Sequence, residues 1–203
     1  MRLTKSRTYR MRRRADQVDQ TRLRITEAAV HLHTTVGPAA TSIAGVAAEA
    51  GVTRLTVYRH FADLDALFVA CTAHWRTLNP PPDAAAWPSI PDLEGRARRA
   101  FGELYGWYQA HADELSPIYR DLAVMPMSAQ HARELENRMM ADAIADGHAS
   151  AGSATGDGGR LLRAADRHLV DFRTWRSLAL EQGLEAREAV DLAVRVLVAV
   201  GGC

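Results

Sequence analysis

The clearest pattern of apolar and polar positions lies in residues 41–61, TSIAGVAAEAGVTRLTVYRHF. Its first apolar residues recur at intervals of three or four, as they do on one face of a helix. Thr41 precedes this repeat as a candidate N-cap, and Gly51 follows it, where a chain leaving a helix often needs a positive φ. Thr53 is a second candidate cap, before a helix whose buried side begins with Val57. The pattern predicts two short helices joined by a tight turn.

The second of these helices has its polar side chains on or near its outer surface: Arg54, Thr56, Tyr58, Arg59 and His60. A short helix that packs on another and presents polar residues outward has the geometry of a recognition helix in a DNA major groove. The same pattern also fits an αα-hairpin inside an ordinary helical domain. The rest of the sequence decides between these two interpretations.

Repeats of the same kind predict helices along almost the whole sequence, so the fold class is all-α. Apolar faces and capping residues place the other helices at about residues 21–36, 63–75, 92–111, 118–124, 128–145, 160–182 and 185–200. Ser116-Pro117 is expected to open the helix at 118, and the small residues 147–159 are expected to form a flexible loop. The last two helices are strongly apolar, and their apolar faces must be buried against a second copy of the chain or within the same subunit.

Composition describes a soluble globular protein, with 47% hydrophobic and 24% charged residues in 203. This length allows one sizeable core or two modest ones. The sequence contains no apolar run long enough for a membrane span and no signal peptide, so no membrane partner is expected. Cys71 and Cys203 form neither a disulfide framework nor a metal-ligand pair, which suits a reducing cytoplasm.

The net charge of +1 conceals a division of the chain. Residues 1–78 carry 12 Arg and Lys against 6 Asp and Glu, a balance of +6, whereas residues 79–203 carry 13 against 18, a balance of −5. Only the first half has the net positive charge that favours binding to a polyanion. Five prolines in residues 79–91 mark the boundary, because no continuous helix can pass through them. We therefore predict four segments: an arm (1–20), a candidate DNA-binding domain (21–78), a connector (79–91) and a second helical domain (92–203).

The first fifteen residues contain seven basic residues and no acidic one. Because like charges repel and little can be buried, we expect this arm to be disordered in free solution. Arg12, Arg13 and Arg14 are candidates for contacts with DNA phosphates or a minor groove. The alternative is a solubilising tail.

The three helices predicted within residues 92–145 could enclose a small-molecule pocket, lined by aromatic and methionine residues with a few polar groups. The candidate lining residues are Trp107, Tyr108, His111, Tyr119, Met125, Met139, Met140, Phe172 and Trp175. Each of them also suits an ordinary core, which is where aromatic and methionine side chains are usually found.

Sequence motifs of enzymes are absent: there is no HExxH, no paired-cysteine metal motif, no serine elbow and no phosphate-binding loop. His111 with Asp113 or Glu114 is a possible acid–base pair, or simply a solvated helix end. We therefore predict no catalytic activity, no cofactor and no metal. A nonspecific architectural DNA binder is a further alternative, for which the basic arm would suffice.

The run EAAVHLH, followed by a glycine and by TSIAGVAAEAGVTRLTVYRHFADLDALF, resembles the N-terminal domain of the TetR (tetracycline-repressor-like) family of bacterial transcription regulators. The resemblance covers roughly residues 21–75, and its most specific part is AGV-T-x-x-TVYRHF. The later run FRTWRSLALEQGL resembles the C-terminal segment of many actinobacterial members. The resemblance implies a three-helix DNA-binding domain, a helical regulatory domain that binds a small, partly apolar effector, and a homodimer on a near-palindromic operator, most simply as a repressor.

In this family, the positions matching Thr53, Arg54 and Thr56 face base edges or nearby phosphates. Those matching Thr41, Tyr58 and His60 hold the sugar-phosphate backbone. The chain also departs from the family pattern. Leu55 stands where glycine is usual and could contact a thymine methyl, Leu64 replaces a lysine that often binds phosphate, and His33 replaces an aromatic residue.

Overall fold

The computed structural model describes residues 3–149 and 157–201, and within them it contains no β-strand. None of the helices in these ranges is both long and apolar enough to cross a membrane. The α-helices, in chain order, are α1 Leu3–Thr35, α2 Ile43–Glu49, α3 Arg54–His60, α4 Leu64–Leu78, α5 Leu93–Ala110, α6 Ala112–Arg120, α7 Met127–Ala149, α8 Asp157–Leu169, α9 Phe172–Arg176 and α10 Ala186–Gly201. Short 3₁₀ turns occupy Pro38–Ala40, Ala84–Ser89 and Leu122–Val124. The all-α fold class is confirmed.

The first four helices enclose a small core of their own, between the C-terminal half of α1, the short helices α2 and α3, and the first turns of α4. Its members come from the apolar faces that the sequence pattern identifies: Ile25, Ala28, Ala29, Val46, Ala47, Ala50, Val57, Phe61, Leu67 and Cys71. Gly51 has φ +64° and makes the turn between α2 and α3, as predicted. Asp63 caps α4 by accepting a hydrogen bond from the Ala66 N–H, at 2.7 Å.

The basic arm, which the sequence predicts to be disordered in free solution, is helical in the structure. α1 begins at Leu3 and runs through the arm without a break. The physical reason is that no glycine or proline occurs before Gly37, and arginine, lysine and methionine are good helix formers. Extending a helix that tertiary contacts already hold also avoids the cost of nucleation, so repulsion between like charges does not stop it.

The remaining helices surround α5, whose buried side chains form the centre of a second core with α7, α8, α9 and α10. Trp87, from the proline-rich connector, is buried in this core, and its indole N–H donates to Glu103 Oε2 at 2.8 Å. Asp92 caps α5 as predicted, accepting from the Gly95 N–H. The fully buried Arg96 donates to the carbonyls of Ile90 and Ile144, which ties the end of the connector to α7.

The helix predicted over residues 160–182 is divided in the structure. α8 ends at Leu169, and Asp171 has an extended backbone and caps α9 by accepting from the Arg173 N–H at 2.8 Å. The carbonyls that the break leaves unpaired are satisfied from α5. Tyr105 and Tyr108 donate their buried hydroxyls to the carbonyls of residues 169 and 170, at 2.8 and 2.7 Å. After α9, Ser177–Glu181 continues as a π-helical turn.

Two further boundaries also differ from the prediction. α6 opens at Ala112 rather than at Ser116-Pro117, because the chain turns at His111 without needing a glycine or a proline. Pro117 lies inside this nine-residue helix, where it removes one backbone donor. Of the predicted loop 147–159, the first three residues belong to α7 and the last three to α8, and residues 150–156 lie outside the described part of the chain.

The two cores are joined by a close contact between the turn after α1 and the end of α6. Arg120 Nη2 donates to the Val36 carbonyl at 2.8 Å, and Asp121 Oδ2 accepts from the Ala39 N–H at 2.9 Å. Arg120 and Asp121 also bond each other, at 2.8 Å. Gly37, between these contacts, has φ +97° and ψ 158°, a conformation that is essentially restricted to glycine.

We expect Gly37→Ala to destabilise the protein by roughly 2–4 kcal/mol, because backbone strain and steric overlap add. A Cβ at this position would lie 2.4 Å from Asp121 Oδ2, an atom held in place by the Ala39 N–H. Gly51→Ala is the matched control, since it also needs a positive φ but a Cβ there would meet nothing within 4 Å. It should lose only about 1 kcal/mol. Urea denaturation measures both variants, and equal losses would contradict the contact described here.

Candidate functional site

Helix α3 is held at both of its ends. At its start, Thr53 Oγ1 accepts from the Thr56 N–H at 3.2 Å, as the sequence predicts, and lies 2.9 Å from the Thr56 hydroxyl. At its end, Arg22 of α1 donates to the His60 carbonyl, and its guanidinium lies 4.1 Å from the centre of the Phe61 ring. Because one of these anchors comes from α1, the orientation of α3 is fixed against the longest helix. Arg22 was missed by the sequence analysis, since no local pattern links it to residue 60.

The outer face of α3 combines positive charge with apolar surface. Arg54 and Arg59 are exposed there, together with Leu55, which is 71% exposed, and Tyr58, which is 54% exposed. The buried side of the helix is supplied by Val57. Side chains as large as these, left in water on a helix of seven residues, are not needed by the core. They are available to a partner.

Thr41 does not have the capping role that the sequence predicts. Ser42 caps α2, accepting from the Gly45 N–H at 3.1 Å, whereas the Thr41 hydroxyl donates back to the Gly37 carbonyl at 2.9 Å. The 3₁₀ turn at Pro38–Ala40 shifts the start of α2 by one residue, which is why the neighbouring hydroxyl takes the cap. Thr41 remains partly exposed beside the N-terminus of α2.

His60 is held in its neutral form. Partial burial, with the nearby positive charges of Arg22 and Arg59, lowers its pKa below the usual 6.5. A neutral imidazole can still donate one N–H to a phosphate oxygen. Arg13 is exposed on the N-terminal extension of α1, whereas the side chains of Arg12 and Arg14 lie outside the described part of the structure.

A cavity of about 310 Å³ lies between the two domains rather than inside the second one. It is enclosed by α1, α4, α6 and α7, and most of its wall is apolar. Its lining includes Val30, His33, Phe68, Cys71, Trp75, Arg76, Glu114, Leu115, Ile118, Met125, Ala129, Ala132, Arg133 and Glu136. Helix α4 forms one wall of the cavity and contributes Leu67 and Cys71 to the core beneath α2 and α3.

Of the nine residues predicted to line a pocket, only Met125 lines this cavity. Tyr108, Tyr119, Met140, Phe172 and Trp175 are buried and packed together in the second core. Their rings occupy the space by contacting one another, for instance at 4.6 Å between the centres of Tyr119 and Phe172. Trp107 and His111 pack beside this core, and Met139 is exposed.

The suggested acid–base pair takes part in a contact between the domains. His111 Nδ1 lies 3.5 Å from Glu114 Oε2, and the same oxygen accepts from the Trp75 indole N–H at 2.8 Å. The Trp75 ring also packs edge-on against the rings of Trp107 and His111. These contacts hold α4 against α5 and α6. They explain why His111 and Glu114 lie together without requiring a catalytic role for the pair.

Two buried groups in the cavity wall face each other across α1 and α4. Cys71 Sγ lies 3.4 Å from His33 Nδ1, and the His33 ring lies 5.0 Å from that of Phe68. Burial lowers the pKa of His33 to about 4 and raises the pKa of the Cys71 thiol to about 12. Both groups are therefore neutral at physiological pH, and Cys71 is a buried thiol rather than a reactive thiolate.

Comparison with known proteins places the two helices around Gly51 in a known domain. Residues 25–71 match the family model described as bacterial regulatory proteins, tetR family. The chain is also similar to the crystal structure of a TetR-like transcriptional regulator from Rhodococcus sp. RHA1, with a TM-score of 0.56 and 21% sequence identity. That similarity covers 90% of this chain and 97% of the other, so the same fold extends across both domains. No curated protein gives a significant match.

We predict that His33 makes the stability of the protein depend on pH below about 6.5. The unfolded chain binds a proton at His33 near pH 6.5, whereas the folded protein does so only near pH 4. Stability from this residue is complete above pH 6.5 and is lost as the pH falls toward 4. Between pH 6.5 and 5, the wild type should lose about 2 kcal/mol of unfolding free energy more than His33→Phe, at about 1.4 kcal/mol per unit. Urea denaturation with exposed His131→Gln as control tests this, and parallel pH curves for the wild type and His33→Phe would contradict it.

Proposed function

Because the chain is a transcriptional regulator of the TetR family, we propose that it binds a near-palindromic operator as a homodimer and that a small, partly apolar effector controls this binding. Repression is the simplest mode of regulation, since a dimer bound across a promoter excludes other proteins. In each subunit, α3 enters one major groove. The two-fold symmetry of the dimer then requires two half-sites of inverted sequence.

The observation that carries this proposal is the outer face of α3, where Arg54, Leu55 and Tyr58 are exposed on a helix that is anchored at both ends. A recognition helix needs this combination of rigid backbone and outward side chains. Arginine reads guanine through paired hydrogen bonds, and an apolar side chain such as Leu55 contacts a thymine methyl. We assign sequence readout to Arg54 and Leu55, with help from Thr56.

Contacts with the sugar-phosphate backbone are assigned to residues beside this reading face. Thr41, Thr53, Tyr58, Arg59 and His60 surround it and carry hydroxyl, guanidinium or imidazole donors. His60 is assigned a hydrogen bond to a phosphate oxygen through an imidazole N–H. Arg12, Arg13 and Arg14 are also assigned to phosphate contacts, which contribute affinity that falls with salt.

Apolar residues left exposed on the last helices support dimerisation. On α10, Leu192 and Val196 lie one turn apart and remain exposed while Ala193 and Leu197 are buried against the same subunit. Leu161 on α8 and Leu180 after α9 are also exposed. A second copy of the chain would cover both helices through an interface of the same residues from each subunit.

The cavity between the domains supports the effector response. A ligand there contacts α4, which belongs to the core beneath α3, and also α6 and α7 of the second domain. If it binds one arrangement of these helices better than another, it shifts the population toward that arrangement. In a dimer, a small rotation of α4 changes the separation of the two α3 helices, and the operator no longer matches it.

Fluorescence anisotropy with the DNA upstream of the gene that encodes this protein tests the proposal. The wild type should bind this duplex far more tightly than a scrambled one at the same salt concentration. Equal affinity for both would contradict sequence-specific regulation and would favour a nonspecific DNA binder instead.

Arg54→Ala should weaken binding to the specific duplex by about tenfold or more, since a base-reading arginine is worth about 1–3 kcal/mol. Binding to scrambled DNA should change much less. Arg187→Ala is a matched control, because it removes one exposed arginine from α10 in the other domain. An equal loss on both duplexes would reassign Arg54 to phosphate contacts.

The double variant Leu192→Glu with Val196→Glu should convert the dimer into a monomer, because it buries two charges in each half of the interface. Analytical ultracentrifugation measures the mass, and the specific affinity for DNA should fall together with it. Leu135→Glu on α7 replaces an exposed leucine outside the proposed interface and serves as the control. An unchanged dimer in the double variant would place the interface elsewhere.

A further inference from the structure

The charges along the wall of the interdomain cavity are unevenly paired. Arg76 of α4 and Arg133 of α7 both donate to the same oxygen of Glu136, one of them at 2.9 Å. The side chains of Arg133 and Glu136 are only 16% and 17% exposed. The Glu136 carboxylate is therefore hydrogen-bonded to two guanidinium groups, and these three side chains together carry a net charge of +1 next to an apolar cavity. Asp171 also interacts electrostatically with Arg133, but its carboxylate accepts its hydrogen bonds from Asn137 and from the Arg173 N–H.

The other carboxylate in the wall, Glu114, does not balance this charge. Its polar contacts are with other residues: it accepts from the indole N–H of Trp75 at 2.8 Å, and it lies 3.5 Å from His111 Nδ1. Its side chain is 45% exposed, so water already solvates it. His33, on the α1 side of the cavity, is neutral and adds no charge.

We propose that the ligand of this cavity is a small apolar monocarboxylate, whose carboxylate group binds between Arg76 and Arg133 and whose hydrocarbon part lies along α1 and α6. A guanidinium offers five N–H donors in a planar fork that matches a carboxylate. The apolar end of such a molecule would contact Phe68, Leu115 and Ile118. A volume of about 310 Å³ is at the lower end of the range of ligand pockets, about 300–1,000 Å³.

This inference rests on the proposed function. It also supplies a physical connection between ligand binding and the position of α4. The contact between Arg76 and Glu136 connects α4 to α7 across the domain boundary. A ligand carboxylate competes with Glu136 for the two arginines and so replaces a direct link between the helices with one through the ligand. The position of α4 then depends on whether the cavity is occupied.

Isothermal titration calorimetry with the full-length protein tests the ligand class. The probes are octanoate and 4-phenylbutanoate, their neutral counterparts 1-octanol and 4-phenyl-1-butanol, and the cation octylammonium. The wild type should bind a carboxylate at least tenfold more tightly than the matching alcohol and should bind the cation weakest. Equal binding of acid and alcohol, preference for the cation, or no binding of any probe would overturn the proposal.

Three variants locate the binding group. Arg133→Met should abolish the tenfold preference for the carboxylate, whereas Arg138→Met, which removes an exposed arginine of the same helix outside the cavity, should leave it unchanged. Glu136→Gln should increase the affinity for the carboxylate about threefold or more, because the competing negative charge is gone. A higher affinity in Glu136→Gln also excludes misfolding as the explanation, since a misfolded protein would not bind the carboxylate more tightly. A preference that survives Arg133→Met, or one that Glu136→Gln weakens, would overturn the proposal.

Anisotropy with the specific duplex separates this inference from the proposed function. If the carboxylate binds with the predicted variant pattern but leaves DNA affinity unchanged, the ligand class stands and the effector role fails. If the protein does not discriminate between DNA sequences, the proposed function fails while the calorimetry still decides the ligand. Weakening of DNA binding by the carboxylate, lost in Arg133→Met, would support both.

Discussion

The close approach of α6 to the turn at Gly37 is the contact on which the arrangement of the two domains depends. Asp121 and Arg120 bond backbone groups on either side of a residue that must lack a side chain. The backbone of the α1–α2 turn is thereby fixed to the second domain, and α1 carries this position to α3 through Arg22. The outer face of α3 is therefore oriented by contacts that begin outside its own domain.

The cavity follows from the same arrangement. The domains meet tightly at the turn after α1 and through the polar contacts of Trp75 and Arg76, and between these points α1, α4, α6 and α7 leave a space with mostly apolar walls. A molecule in this space touches helices of both cores. In the proposed effector response, ligand binding and the position of α3 are linked without a long pathway, because the cavity lies where the two domains meet.

Most features set by neighbouring residues were predictable from the sequence, although the cap of α2 is Ser42 rather than the predicted Thr41, and features set by distant residues were not predictable. The caps at Thr53 and Asp63 and the turn at Gly51 depend on local backbone chemistry, and they were correct. The break at Asp171 depends on tyrosine hydroxyls some sixty residues away. Aromatic residues predicted to line a pocket satisfy one another in a core instead. The cavity is lined by helices that are far apart in the sequence, from α1 to α7. The periodicity within one helix does not show which distant helix it will pack against.

The central claim is that two copies of this chain read DNA through α3, and selection from a library of randomised duplexes tests it most directly. The full-length protein is incubated with the library, and the bound duplexes are sequenced over several rounds. The account predicts enrichment of a near-palindrome, with half-site centres separated by about one turn of DNA, roughly 10 bp, or a multiple of it. Enrichment of no motif, or of a single half-site without a symmetric partner, would contradict it.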